Sequence, residues 1–228
     1  MPGLTDRAGG EAPEIGAAVE RAHQAWQESM LRQMDELRAV VQTCEPGRLA
    51  ARCGAAYDGS SIKLRYWLQW IEIAWPALTM NILPDSRPLS VFDSAAILYY
   101  LYHADGVPMA DRWVSFRELP GGGFYHQAFQ GYSGDRLARS YGTQPEALHQ
   151  AARQLDGWSL SGLPGIAYAF LPLPCIRLAA ILYPGDDEFP TTARILFDAA
   201  ASHYTTIDGL ALLGAGLASR LIRLRPPG

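Results

Sequence analysis

The densest group of side chains able to do chemistry lies between residues 103 and 136. In this segment, histidines, carboxylates and arginines alternate with aromatic residues, and the glycines at 121–123 leave room for a ligand beside the backbone. Arginine suits carboxylate or phosphate, because its planar guanidinium stays charged and donates paired hydrogen bonds. We therefore interpret the segment as the wall of a pocket for a small anionic ligand.

Roles within this segment follow from residue type. The predicted ligand-binding residues are His103, Asp105, Arg112, Trp113, Arg117, Glu118, Tyr132 and Arg136. His126, which comes after the glycines, is predicted to be a general base, and Asp135 is the second catalytic candidate. An ordinary turn-rich segment with salt bridges and packed aromatic rings is the alternative interpretation. For His103 the alternative is a favourable cation at a helix C-terminus.

A second set of candidates lies further along the chain. Asp186 and Asp187 are adjacent carboxylates, a residue type that attracts hard cations. With His203 they are the predicted ligands of a metal-assisted hydrolase or lyase, the second functional hypothesis. The alternative interpretation places the acidic residues before a helix that has Pro190 in its first turn, where they would stabilise the helix dipole. On this alternative interpretation, His203 either packs in the core or caps a helix.

An aromatic cluster supports a third hypothesis. It comprises Tyr66, Trp67, Trp70 and Trp75, which are typical of a core or an interface. If these rings are exposed, they would mark a site for a protein partner or a flat ring ligand. On this hypothesis the protein is an interaction scaffold.

The three cysteines argue against two classes of site. Cys44, Cys53 and Cys175 form no C-x-x-C pair, which disfavours a disulfide framework and a cysteine zinc site, and we expect a reducing, cytoplasmic location. Cys53 follows Arg52, so a lowered thiol pKa is one interpretation and a buried inert thiol is the other.

The composition of the chain limits the remaining classes of protein to which it could belong. The chain has 228 residues, 49% of them hydrophobic, and 19 − 23 gives a net charge of −4, which favours one globular domain and disfavours nucleic-acid binding. The apolar stretches at 66–84 and 157–176 are interrupted by charge, proline or glycine, so we expect no membrane span. Residues 1–14 lack the apolar region of a signal peptide and are predicted to be a flexible tail.

Periodicity predicts a single α+β domain over residues 15–225, with small antiparallel sheets packed by several helices. The predicted elements are a helix at 15–44, an antiparallel meander at 52–83, a helix at 89–103, a strand at 113–117, helices at 124–141 and 145–155, two strands at 166–183, and closing helices at 194–203 and 210–224. Thr143 is the predicted N-cap of the helix at 145–155.

Several strings resemble one family. They are YYLYHADGVP at 99–108, RWVSFRELPGG at 112–122, GYSGDRL at 131–137, and GDDEFP at 185–190 followed by ILFD at 195–198. Together they resemble an uncharacterised prokaryotic family, the domain of unknown function 3786, over roughly residues 20–220. The resemblance implies no particular reaction or cofactor.

Some relatives are joined to iron–sulfur modules and come from anaerobic microbes, which implies a redox or metallocofactor context. This chain lacks the cysteine cluster of such a module. We expect an accessory or binding protein for a small anionic ligand or metallocofactor in that context. Whether the protein is an enzyme stays open, as does a protein partner.

Overall fold

A computed structural model describes residues 31–226 of the chain. The predicted tail at 1–14 and the first part of the predicted helix at 15–44 lie outside these residues. Residues 31–41 are helical and form α1, which agrees with the predicted helix where the two overlap.

The other helices are short except for the third and the last. They are α2 (Pro46–Arg52), α3 (Val91–His103), α4 (His126–Tyr132), α5 (Gly134–Tyr141), α6 (Ala147–Gln154) and α7 (Ile207–Arg223). Hydroxyl N-caps begin the two long ones: Ser90 accepts from the Asp93 N–H at 3.1 Å, and Thr206 accepts from the Gly209 N–H at 3.1 Å. Single turns of 3₁₀ helix cover Phe116–Glu118 and Ala201–His203.

The first sheet is the predicted meander. Its strands follow chain order and are antiparallel: β1 (Ala56–Tyr57), β2 (Ser61–Tyr66), β3 (Gln69–Ala74), β4 (Met80–Ile82) and β5 (Arg87–Pro88). In β2, Ile62 and Leu64 are buried between more exposed cations, because alternate side chains face opposite sides of a sheet. The Asp58 carboxylate holds the first turn by accepting from the N–H groups of Ser60 and Ser61.

The second sheet joins distant parts of the chain. Its strands are β6 (Trp113–Ser115), β7 (Trp158–Ser159), β8 (Ile166–Leu173), β9 (Ile176–Tyr183) and β10 (Thr192–Asp198), in the spatial order β6-β10-β9-β8-β7. All neighbours are antiparallel, and Val114 of β6 lies opposite Phe197 of β10. This pairing places the polar segment at 103–136 beside the segment at 192–198.

The predicted helix at 194–203 is wrong. Residues 192–198 form the strand β10, which pairs on one side with β9 and on the other with β6. Ala193, Ile195 and Phe197 are buried, whereas Arg194 between them is exposed. This period of two in the burial is the pattern of a strand.

Two smaller predictions fail with that helix. The acidic residues at 186–188 precede a strand, so they do not stabilise a helix N-terminus. Thr143 is not an N-cap, because α6 begins at Ala147 after a turn at 145–146. The α+β class, with two antiparallel sheets packed by helices, is confirmed. Within residues 31–226, no helix combines the length and hydropathy that crossing a membrane requires.

Candidate functional site: an arginine-lined groove

A groove of about 860 Å³ lies between α4, α5 and the start of β10. This volume lies in the range of ordinary small-molecule sites. The polar side chains that line it include Arg117, His126, Gln130, Asp135, Arg139 and Arg194. The groove therefore combines residues from the polar segment at 103–136 with residues around β10.

Close contact between α5 and β10 shapes the groove. Gly134 begins α5, and a Cβ at this position would lie 2.4 Å from the carbonyl oxygen of Ala193, a distance that no side chain allows. The Gln130 amide donates to the same carbonyl oxygen at 2.9 Å and to the Asp135 carboxylate at 2.7 Å. Gln130 thus joins α4, α5 and β10.

Three arginines give the groove its charge. Arg117, Arg139 and Arg194 are exposed, and none of them has a side-chain hydrogen bond or ion pair within residues 31–226. By contrast, Arg177 elsewhere in the sheet contacts two carboxylates. Among the groove's described lining residues, Asp135 is the one acidic side chain. The groove therefore carries an excess of positive charge.

The geometry at His126 defines its protonation pattern. Its Nδ1 lies 2.7 Å from the carbonyl oxygen of Gly123. A carbonyl oxygen can only accept, so Nδ1 carries the proton, and in the neutral ring Nε2 is an acceptor. No hydrogen-bond partner for Nε2 occurs in the described part of the chain. His126 can therefore accept a proton or a hydrogen bond from a ligand.

A glycine turn places His126 at the groove. The Gly122 N–H donates to the carbonyl oxygen of Leu119 at 2.9 Å, and a Cβ on Gly122 would lie 1.8 Å from the Phe116 carbonyl oxygen. Below the turn, the rings of Phe116 and Phe129 stack with centroids 4.2 Å apart, and both are buried. The groove thus has an apolar floor and a charged rim.

Three of the predicted site residues meet in the groove: Arg117, His126 and Asp135. Arg136, although next to Asp135, donates to Ser219 of α7 at 3.2 Å. Glu118 accepts from the N–H and hydroxyl of Ser115, both at 2.7 Å, and these bonds lower its pKa. Arg136 and Glu118 therefore have structural partners.

The remaining members of the predicted ligand set lie away from the groove lining. Trp113 packs against the Arg177 guanidinium, 5.5 Å from the ring centroid, and Tyr132 makes an edge contact with Phe129. Arg112 is exposed near Glu118, whose pKa it helps to lower.

His103 and Asp105 also lie outside the groove lining. His103 is half-buried against the rings of Tyr99 and Tyr102, and burial lowers its pKa. This direction opposes the interpretation of His103 as a stabilising cation. Asp105 accepts from the Val107 N–H at 3.0 Å and contacts His203 Nδ1 at 2.7 Å.

The predicted metal ligands are not brought together. Within residues 31–226, no group of three His, Cys, Asp or Glu side chains is placed to hold a metal ion. Asp186 accepts from the N–H groups of Glu188 and Phe189, and these two bonds lower its pKa. The strand β10, which spans roughly 20 Å, lies in the chain between Asp186 and Asp187 at one end and His203 at the other, whereas the predicted helix would have been shorter.

Sequence reasoning missed Arg139 and Arg194. Arg139 follows Asp135 by four residues in α5, so both lie on one helix face, and this spacing was a usable signal. Arg194 was missed because residues 194–203 were predicted to form a helix. Its exposure follows only when residues 192–198 form a strand, in which alternate side chains face solvent.

The aromatic cluster is split between core and surface. Tyr66 and Trp67 are buried, and the Arg220 guanidinium lies 4.3 Å from the Trp67 ring centroid. Trp75 is half-buried, whereas Trp70 is 57% exposed. The cluster therefore belongs mostly to the core.

The environment of Cys53 supports the inert-thiol interpretation. The side chain is buried, and burial, more than any neighbouring charge, raises its pKa to about 12. The adjacent Arg52 does not reverse this shift. All three cysteines are free thiols.

Comparison with known proteins identifies one family. Its profile, described as a domain of unknown function (DUF3786), matches residues 45–220, which include every strand from β1 to β10 and nearly all of α7. Neither the curated proteins nor the solved structures contain a significant match to the chain.

Proposed function

The chain belongs to the family of domain of unknown function 3786, and we propose that it is a binding protein that holds a small anionic ligand in the arginine-lined groove. The observation that carries this proposal is the set of three exposed arginines, Arg117, Arg139 and Arg194, in one groove without partners in the described chain.

Grouping three like charges in one groove costs free energy, because the charges repel each other. Three guanidinium groups remain protonated at any physiological pH, and Asp135 balances only one of them. An anion in the groove relieves this repulsion and accepts paired hydrogen bonds from the guanidinium groups. Carboxylate and phosphate both have that geometry.

The neutral groups favour a ligand with further hydrogen-bonding atoms. The free Nε2 of His126 accepts a hydrogen bond when the ring is neutral and donates one when it is protonated. Thr191 and Thr192 add hydroxyl groups to the lining. These groups distinguish one anion from another, whereas the arginines attract all of them.

A metallocofactor with carboxylate or phosphate groups belongs to the same ligand class. The described residues contain no three-residue metal cluster, so such a cofactor would have to bring most of its own metal ligands, and Nε2 of His126 would be the nitrogen donor that the groove adds. The redox or anaerobic context comes from the family resemblance. The three free cysteines support a reducing, cytoplasmic location.

Calorimetric titration tests anion binding. The probes are inorganic phosphate, pyrophosphate, tripolyphosphate and citrate, applied to the wild type and to Arg139→Ala and Arg194→Ala. We expect a polyanion to bind, and each substitution to weaken it by about tenfold. The matched control is Arg153→Ala, which removes an exposed arginine from α6. Binding of none of the probes, or an equal loss in the control, would contradict the proposal.

A separate measurement tests the metallocofactor. The protein is purified without oxygen or chelators, and its absorption spectrum and metal content are recorded on one sample. A stoichiometric metal or a visible chromophore supports a metallocofactor. A colourless, metal-free protein that still binds polyanions leaves a metal-free anion as the ligand.

Trp70 supports a second candidate function, the binding of a protein partner. Its ring is 57% exposed on β3, beside the exposed Leu68 at the β2–β3 turn. Exposed large apolar side chains are typical of interfaces when they are grouped. Concentration-dependent association, measured by sedimentation and abolished by Trp70→Ala, would favour this candidate.

A further inference from the structure

Three buried phenylalanines join the chain segments that bring charge into the groove. The ring centroids of Phe116 and Phe129 lie 4.2 Å apart, and the Phe197 ring lies 5.9 Å from the first and 5.7 Å from the second. All three side chains are buried. Their contacts hold the turn after β6, the helix α4 and the strand β10 to one another.

Each of these three segments carries one polar groove residue close to its phenylalanine. Arg117 directly follows Phe116, and His126 begins α4 one helical turn before Phe129. Arg194 comes three residues before the phenylalanine of β10. All three polar residues line the groove. The aromatic contacts therefore position two guanidinium groups and one imidazole in a single groove.

The register of β6 and β10 leads to both arginines. Ser115 is the last residue of β6, and it pairs with Leu196 of β10. Two residues onward from this pair stand Arg117 on one segment and Arg194 on the other, which a continued antiparallel ladder would place directly opposite each other. The turn at Phe116–Glu118 ends the ladder before that point, yet both arginines line the groove. Neighbouring like charges are destabilising, and an anion between them removes the repulsion.

His126 adds a third donor to this pair when its ring is protonated. The Gly123 carbonyl oxygen lies 2.7 Å from Nδ1, so Nε2 is the ring nitrogen left for a ligand. In the neutral ring Nε2 has no proton to offer an anion, whereas in the imidazolium it donates a charge-assisted hydrogen bond.

Imidazole is the group of the groove whose charge ordinarily changes near neutral pH. The other charged side chains that line the groove are Arg117 from the turn after β6, Asp135 and Arg139 from α5, and Arg194 from β10. Carboxylates ordinarily titrate below about pH 5 and guanidinium groups above about pH 12, whereas imidazole titrates between about pH 5 and 8. A change in anion binding within that last range therefore reports on His126.

The number and charge of these donors distinguish between carboxylate and phosphate. A carboxylate offers two oxygens and one charge, whereas a phosphoryl group offers three terminal oxygens and about two charges. Three arginines less one aspartate leave the groove a net charge of +2. We infer that the anionic group of the ligand is a phosphoryl group, held between Arg117 and Arg194 and hydrogen-bonded to the protonated Nε2 of His126. This inference rests on the proposed anion-binding function and names its ligand class.

Four anions test the geometry of the site. Sulfate presents the tetrahedral oxygens of a phosphoryl group, malonate carries about the same charge on two carboxylates, and inorganic phosphate and glycerol 3-phosphate carry the phosphoryl group itself. Each is titrated into the full chain by calorimetry at about pH 6.5, where part of the imidazole is protonated. We expect sulfate and glycerol 3-phosphate to bind about tenfold more tightly than malonate.

The outcomes separate the inference from the proposed function. Malonate binding as tightly as sulfate would overturn the inference and leave anion binding intact, whereas absence of binding by every probe would overturn both. Tighter binding of glycerol 3-phosphate than of inorganic phosphate identifies a monoester as the source of the phosphoryl group. Equal affinities identify free phosphate, which carries the same group.

Sulfate also isolates the proton on His126, because sulfate itself keeps two charges over the range in which imidazole titrates. We expect its affinity to rise about tenfold as the pH falls from about 8 to about 5.5, since only the protonated ring donates to the anion. Titration in two buffers with different ionisation enthalpies should show uptake of up to about one proton per sulfate near pH 7. An affinity that does not change with pH, without proton uptake, would overturn the inference.

His126→Gln assigns the pH dependence to one residue. Glutamine stays neutral, so we expect sulfate to bind this variant weakly at every pH and without proton uptake. The matched control is His149→Gln, which removes a half-buried imidazole from α6, away from the groove lining. The control should keep the wild-type pH profile. A wild-type profile in His126→Gln would overturn the inference.

Arg194→Ala separates the guanidinium contact from the proton. We expect this variant to bind sulfate about tenfold more weakly at every pH and to keep the rise on acidification, because His126 still takes up its proton. Arg153→Ala should leave the affinity unchanged, and an equal loss in this control would overturn the inference. Arg194 is exposed, so an unchanged thermal transition verifies folding. If His126→Gln does not fold, proton uptake by the wild type still decides.

Discussion

The Asp198 carboxylate lies 2.6 Å from the Arg177 guanidinium at the end of β10. Asp198 is 1% exposed, and it also accepts from the N–H groups of Ala110, Asp111 and Ala200 at 2.8 to 3.0 Å. One buried side chain therefore fixes the loop before β6 to the strand that β6 pairs with.

We expect Asp198→Ala to lower the free energy of unfolding by about 3 to 5 kcal/mol. Removing one partner of a buried ion pair leaves the other charge uncompensated, and three backbone donors lose their acceptor. Urea denaturation measures the effect. The control Asp111→Ala removes the exposed partner of the same arginine and should cost about 1 kcal/mol or less. Similar losses in the two variants would contradict the role assigned to Asp198.

The pKa of the Asp198 carboxyl leads us to expect that the stability of the fold depends on pH. Burial opposes its ionisation, but Arg177 and the backbone donors outweigh burial and hold its pKa below the usual value. A folded pKa below the unfolded value of about 3.9 stabilises the fold above that pH, and this stabilisation is lost as the pH falls through the folded pKa. The stability difference between wild type and Asp198→Asn should be constant above about pH 5 and shrink below pH 4. A difference that grows on acidification would exclude this mechanism.

A pair of glycine variants tests the contact between α5 and β10. Gly134→Ala places a Cβ 2.4 Å from the Ala193 carbonyl oxygen, so we expect a loss of about 1 to 3 kcal/mol and weaker binding of polyanions in the groove. Gly131 is in α4 with open space around it, and Gly131→Ala should be neutral or stabilising by up to about 1 kcal/mol. Equal thermal transitions in the two variants would show that α5 can shift without cost.

Thiol alkylation tests the environment of Cys53. Burial raises its pKa to about 12, so little thiolate is present near pH 8, and the side chain is also inaccessible. We expect iodoacetamide to modify the partly exposed Cys44 and Cys175 first and to reach Cys53 only on unfolding. Mass spectrometry of the digested protein follows each site. Rapid modification of Cys53 in the folded protein would contradict its burial.

Local patterns predicted most of the fold. The alternation around Ile62 and Leu64 predicted β2, and Asp58-Gly59 predicted its turn, because both signals act within a few residues. The segment at 194–203 was predicted wrongly, since its side chains suit both a helix and a strand over so short a length. Pairing with β6 and β9 decides between them, and that pairing is not a local property of the sequence.

The candidate site was predicted in part. The residue types around His126 and Arg117 indicated anion chemistry, and both residues line the groove. The sequence did not separate Arg136 from Arg139, because only the packing of α5 decides that Arg136 contacts α7 and Arg139 lines the groove. Arg194 could be assigned to the groove only once residues 192–198 were known to form the strand β10.

The long-range pairing of β6 with β10 also has a consequence during synthesis. Arg117 and Arg139 leave the ribosome before Arg194 and the rest of β10 have been translated, so the groove has only one wall at that stage. Phe116 and Phe129, buried in the finished fold, then lack the Phe197 ring that packs against both. A nascent chain of this length therefore exposes apolar surface that the finished fold buries, and such surface favours chaperone binding and aggregation.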